Sequence, residues 1–302
     1  MKKLLYLLNI LILSSCGSNE KNENHWTRDS LQGKVLSYSE FSYQAENRFG
    51  KIEKGKLSWG GGLKEYDERG NLIEESSYNS DGNLSSRYTD KYDERGNLIE
   101  RNRYNSDGSL RVKYIDKYDE RGNLIEESSY NSDGSLWIRY TFKYEENGNE
   151  IVNQVGSDGS LWKKGTNKYD EKENKIEENS YYADGSLRFK HIYKYDNEGN
   201  EIEKNYYDSE GSLESKHTYK YDEEGNKIEV YNYDSEGRFK SKQTYKFDEK
   251  GNEIDENNFY SGGIRNSTYK YEYDNQGNWL KKIDYEEGTP TSITVRKYEY
   301  YD

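Results

Sequence analysis

"YDERGNLIEESSYNSDG" runs from Tyr66 to Gly82 and returns unchanged from Tyr118 to Gly134. With its first tyrosine as marker, related elements begin at Tyr92, Tyr144, Tyr169, Tyr195, Tyr221, Phe247 and Tyr273, at intervals of 26 residues with a single interval of 25. A fixed period of this length marks a tandem array, in which each unit is one supersecondary piece completed by its neighbours. Every unit carries two turn signals. One lies at the glycine of "YDERGN", as at Gly70, Gly96 and Gly122, and the other at the glycine of "NSDG", as at Gly82, Gly108 and Gly134. Removing the turns leaves strands of about eight to ten residues, so each unit reads as a β-hairpin joined to the next by another hairpin.

The expected fold is all-β: tandem 26-residue hairpins forming one elongated or curled antiparallel sheet. The array spans residues 66–302 and follows a capping hairpin at 31–65, whose opening strand is Val35 to Tyr43 and whose turn lies in "ENRFGKIEKG". After the second glycine the alternation is clean. Leu84, Tyr88 and Tyr92 share one face, and Ser85, Arg87, Thr89 and Lys91 the other. Lysine recurs before the marker at Lys91, Lys117, Lys143, Lys168, Lys194, Lys220 and Lys246, and glutamates of the other strand are expected between these like charges. The first strand of each unit breaks parity, because Ile73 and Tyr78, like Ile99 and Tyr104, are five residues apart. Either both faces are packed or a bulge resets the parity once per unit. The short unit, in which Val155 follows Ile151 by four, favours the bulge. The single proline, Pro290, cannot donate to a ladder, so its strand is expected to be the terminal edge.

Composition bounds the function. Hydrophobic residues make up 30% and charged residues 34%, and 33 tyrosines stand against 7 phenylalanines, so the core must be built from rings whose hydroxyl ends stay polar. A net charge of −13 argues against nucleic acid or an anionic membrane as partner. Lys2 and Lys3 precede an apolar run from Leu4 to Leu13, too short to span a bilayer and ordered like a signal peptide. Leu13-Ser14-Ser15-Cys16 resembles the lipobox of bacterial lipoproteins. That resemblance implies a signal peptide at 1–15, lipidation at Cys16, and a polar tether over 16–30 in a cell-envelope protein, with the side of the membrane left open. Loss of Lys2 and Lys3 takes the charge from −13 to −15. Cys16 is the only cysteine, so no disulfide is expected.

"YDERGNLIE" and its copies resemble the YD repeats of the RHS family, bacterial hairpin arrays associated with polymorphic toxins. The resemblance covers Tyr66 to about Asp302 and implies successive hairpins that can curl into a shell. Glu145 for Asp, Glu173 for Gly and Phe247 for Tyr depart from the pattern. No toxin domain is expected after Tyr301-Asp302, so a cargo-holding shell fragment is the weaker implication.

No catalytic constellation stands out, and neither an enzymatic role, a cofactor nor a metal is expected. Asp67, Asp93 and Asp119 sit where Asp caps its own turn, and the "NSDGS" loops are too tight for a calcium site. His191 and His217 occupy the place of Tyr88 one period apart and read as substitutions in a tyrosine stripe. Two classes of function remain: a binding or adhesion module for a glycan or protein, or a spacer whose strand count sets reach, up to roughly 95 Å for an open sheet. Three residues after the second glycine, successive units place Arg111, Trp137, Trp162 and Arg188 where others carry Ser, Glu or Lys. Aromatic residues flanked by arginine favour binding, with Trp137 and Trp162 as the platform and Arg111 and Arg188 at its rim.

Overall fold

The computed structural model describes residues 24–302 other than 146 and 147. A one-turn helix, α1 (His25–Arg28), precedes twenty strands. These are β1 (Val35–Arg48), β2 (Lys51–Tyr66), β3 (Leu72–Tyr78), β4 (Leu84–Tyr92), β5 (Leu98–Tyr104), β6 (Leu110–Tyr118) and β7 (Leu124–Asn131). There follow β8 (Leu136–Tyr144), β9 (Glu150–Gly156), β10 (Leu161–Tyr169), β11 (Lys175–Tyr182), β12 (Leu187–Tyr195), β13 (Glu201–Tyr207) and β14 (Leu213–Tyr221). The last are β15 (Lys227–Asp234), β16 (Phe239–Phe247), β17 (Glu253–Tyr260), β18 (Gly263–Tyr273), β19 (Trp279–Glu286) and β20 (Thr289–Tyr300).

Each strand pairs antiparallel with the next, and β1 also pairs with β20 from Val35↔Tyr300 to Gln44↔Ser292. The array is therefore a closed twenty-stranded barrel, which corrects the expected open or curled sheet. The non-repeating hairpin β1–β2 is a stave that joins the two ends of the array. Pro290 likewise does not mark an edge: it opens β20, opposite Tyr285, and β20 has a neighbour on both sides. Proline is tolerated there because it stands at the strand's beginning.

Register sets the shape. The path Tyr88↔Arg103↔Val112 starts four residues before one marker and ends six before the next, a slip of two residues per hairpin. Over the whole circuit this amounts to about twenty residues, a strand tilt of about 35–40° and a backbone diameter of about 40 Å. The direction of slip, the side to which each residue turns its backbone groups, and the right-handed coil of sheets made from L-residues together place the face of Tyr88, Tyr114 and Tyr140 on the concave wall. The N-terminal segment lies on this same face. Trp26 Nε1 donates to the Val35 carbonyl at 2.8 Å, Lys64 pairs with Asp29, and Leu31, Val35, Tyr38, Tyr66 and Leu72 form the main buried apolar cluster. From Asn24 the chain is thus docked on the end formed by the "YDERGN" turns, not free tether.

Parity is reset by bulges. Lys91 faces Glu100 while Tyr92 faces Leu98, so the aliphatic residue Ile99 is itself the unpaired one. The marker tyrosines answer these bulges. Tyr92, Tyr118, Tyr144, Tyr195 and Tyr221 donate their hydroxyls to the carbonyls of Leu72, Leu98, Leu124, Lys175 and Glu201 at 2.8–2.9 Å, each carbonyl next to a bulged isoleucine. Turns are wound about their aspartates: Asp93 Oδ1 accepts from the amides of Arg95 and Asn97, and the Asn97 side chain donates to Oδ2. Arg69 and Arg95 reach on to the Glu94 and Glu120 carbonyls of the following turns.

On the convex wall the expected charge ladder is present. Lys91 and Lys113 share Glu100, Lys168 and Lys190 share Glu177, and Lys194 and Lys216 share Glu203. A wall of this kind does not match the apolar band of a barrel that faces lipid.

Tyr118→Phe deletes one hydroxyl latch and is expected to destabilise the barrel by about 1 kcal/mol in urea unfolding. Glu173 holds a φ of 65° where other turns have glycine. Glu173→Gly should raise stability by about 1 kcal/mol in the same measurement.

Candidate functional site

Arg111, Trp137, Trp162 and Arg188 all stand on one rim, at the end opposite α1, as the second residues of β6, β8, β10 and β12. Each is the unpaired residue of a bulge. For example, Leu136 faces Tyr130 and Ile138 faces Ser129, leaving Trp137 between them. The clean alternation expected after the second glycine, which puts this position on the face of Ser85 and Lys91, is thus interrupted here. The indoles of Trp137 and Trp162 are 47% and 43% exposed, and neither is buried in a core. Trp162 is partly held: its ring lies across Gly156, where a Cβ would stand 2.5 Å from it, and its Nε1 donates to Ser160 Oγ at 3.1 Å. Arg111 is exposed, and Arg188 lies over the Phe189 ring. Trp137 and Trp162 are two strands apart, about 10 Å. Cys16 lies outside the described residues.

Lys163, which sequence reading did not single out, belongs to the same rim. It lies on the concave face, opposite Gln154, in a slot filled elsewhere by Ser86, Val112, Ile138 and Phe189. Its pKa is lowered by burial and by the Arg188 guanidinium. A lysine in a slot of small or apolar residues was a signal available in the repeat alignment.

Deeper in the barrel the concave wall carries charge. Asp90 accepts both arms of Arg101, at 2.7 and 2.5 Å. Asp116 faces Glu127 directly across β6 and β7, and its buried Oδ1 has no hydrogen-bond partner. Burial, then Glu127, pushes Asp116 up to about 7, and burial raises Glu127 as well. His191 and His217 are on this face with Tyr206 between them, at ring separations of 4.7 and 4.9 Å. Glu178 accepts from Tyr193 at 2.6 Å and pairs with Lys175. Among the described residues no three metal-ligating groups converge.

No family model matches the chain, and no curated protein does. Solved structures give distant likenesses. A porin-like protein from Bacteroides uniformis is 11% identical, with a TM-score of 0.36, over 89% of this chain and 98% of that one. The toxin assembly TcdB2-TccC3-TEV is 13% identical, with a TM-score of 0.29, over 80% of this chain and 16% of that one. The Photorhabdus luminescens Tc holotoxin pore is 12% identical, with a TM-score of 0.27, over 78% and 19%. The chain spans less than a fifth of either toxin component. At these scores the likenesses carry no argument about fold or activity.

An acid with a raised folded pKa binds its proton more tightly in the folded than in the unfolded state. Its contribution to stability therefore falls as pH rises from about 4, the unfolded value, to about 7. Asp116→Asn should flatten that part of the profile, measured as the urea midpoint against pH. An unchanged slope would remove Asp116 as its source.

Proposed function

We propose that the protein is a lipid-anchored binding module of the bacterial cell envelope, which presents the rim of Trp137 and Trp162 to a glycan or protein. The observation that carries this reading is the opposition of the two ends. Asn24 and His25 hydrogen-bond to the Arg69 and Gly70 carbonyls at the "YDERGN" end, only eight residues after Cys16. An anchor at Cys16 would hold that end toward the membrane and turn the tryptophan rim away from it. Two half-exposed indoles flanked by arginine are the composition of a binding hot spot. The spacer reading loses its main support with closure, since strands of seven to nine residues tilted in a barrel rise only about 20 Å.

Two measurements test the proposal. Cys16→Ala should move the protein from the membrane to the soluble fraction or leave it unprocessed; a processed, membrane-bound variant would refute the anchor. On a glycan array and in pull-downs, Trp137→Ala with Trp162→Ala should abolish binding while shifting the thermal midpoint by only about 2–4 °C. A collapse in stability would make the indoles structural and remove the platform.

A further inference from the structure

The repeat that separates the two tryptophans has lost its acid. On the convex wall each outward glutamate of a first strand normally lies between lysines of the two neighbouring strands, as Glu203 lies between Lys194 and Lys216, and Glu229 between Lys220 and Lys242. On β9 that slot holds Ile151, directly opposite Lys143. Glu126 and Glu177 occupy it in the units on either side. The cause is the 25-residue unit. β9 has no bulge against β8, so its isoleucine slides into the position that glutamate takes elsewhere.

As a result, among the described residues, Lys143 and Lys164 lack the carboxylate that their counterparts share. Lys163, on the concave side of the same rim, has no ion pair among the described residues either, and the Arg188 guanidinium acts on it as a second cation. Arg188 rests on an aromatic ring instead of an acid, and Arg111 is exposed without an ion pair. Other cations also stand outside ion pairs, but Lys163, Lys164, Arg188 and Arg111 do so on the rim that carries the two indoles. Lys163 and Lys164 follow Trp162 in sequence, one on each side of the wall, so the pair straddles the rim.

We propose that this rim binds an anionic polysaccharide. Trp137 and Trp162 stack on sugar rings of an extended chain, while Lys163, Lys164, Arg188 and Arg111 neutralise its carboxylate or sulfate groups. Two flat rings about 10 Å apart on an open rim suit an extended polymer of rings better than a compact ligand, which would need an enclosing pocket. The inference rests on the rim being the binding site, and it adds the charge of the ligand.

Isothermal titration of the full chain with polygalacturonate, heparin and neutral dextran tests it. Binding to at least one of the two acidic polymers is expected, weakening as salt is raised. Lys163→Gln with Lys164→Gln and Arg188→Gln should lower that affinity at least tenfold. Ile151→Glu, which restores the carboxylate shared by Lys143 and Lys164 and substitutes no proposed contact, should lower it several-fold. Dextran bound as tightly as the acidic polymers, lost on Trp137→Ala with Trp162→Ala and indifferent to the glutamine substitutions, would overturn the anionic assignment and leave the platform standing. Polyglutamate bound as well as the acidic glycans would overturn the polysaccharide. No binding to any of these probes would overturn the charge assignment, and a glycan array or pull-down signal that survives loss of both tryptophans would overturn the platform.

Discussion

The hydrogen bond from a marker tyrosine to the carbonyl beside a bulge, twenty residues upstream, is the contact on which this barrel is organised. A bulge bends a strand and raises its twist, which a closed sheet needs, but it also interrupts the ladder. A backbone carbonyl displaced from a ladder must find another donor. Tyr92 supplies it to Leu72 and Tyr118 to Leu98, so each hairpin completes the one before it. This explains why the marker is tyrosine in a chain so poor in phenylalanine: the ring packs on the concave wall while the hydroxyl closes the ladder. Phe247 keeps the ring and gives up the latch.

Closure follows from the same economy of parts. An open array of hairpins ends in two rows of unpaired backbone groups, which invite association with other chains. Here β1 takes up both ends, pairing with β2 on one side and β20 on the other, and the seam is tightened by side chains. Arg296 donates to Glu40 at 2.6 Å and lies over the Trp279 ring at 3.7 Å, and Tyr38 packs on Tyr298. Beyond the rim, β1 and β2 continue as a two-stranded ribbon ending at Phe49 and Gly50. The ribbon leaves the wall at Gly60, where a Cβ would collide with the Asn79 carbonyl.

Much of the fold was legible because its determinants are local and repeated. Period, hairpin turns, strand faces and the lysine–glutamate ladder all come from residues within one unit, and the five-residue offset from Ile99 to Tyr104 announced a bulge. Closure was not legible, because it depends on register slip summed over twenty strands, a quantity that no single unit displays. Pro290 was misread for that reason: its consequence depends on whether β20 has a second neighbour, which only the closed circuit provides. At the rim, the residue types of Arg111, Trp137, Trp162 and Arg188 were visible but their orientation was not. They occupy the one position per strand at which alternation fails, so counting by twos could not place them. The buried pair of Asp116 and Glu127 was hidden similarly, since cross-strand partners lie eleven residues apart in sequence and meet only through the register.

The short unit shows how one residue can change the chemistry of a repeat without breaking the fold. Omitting a residue from β9 removes a bulge, which the barrel tolerates because its neighbours keep theirs. The rest of the strand keeps the usual register, with Glu150 opposite the marker Tyr144 and Asn153 opposite Thr141 as Leu98 lies opposite Tyr92 and Asn102 opposite Thr89, so the isoleucine that is bulged elsewhere is the residue that changes place. Isoleucine replaces glutamate opposite Lys143, so the two convex lysines lose the carboxylate between them while Lys163 adds a cation on the concave side. The same unit places Gly156 beneath the Trp162 indole, so the ring can lie flat against the strand instead of standing off it. The exposed ring, the space beneath it and the unpaired cations beside it thus come from a single irregular unit, where the requirements of the array are relaxed and side chains are free to serve something other than the barrel.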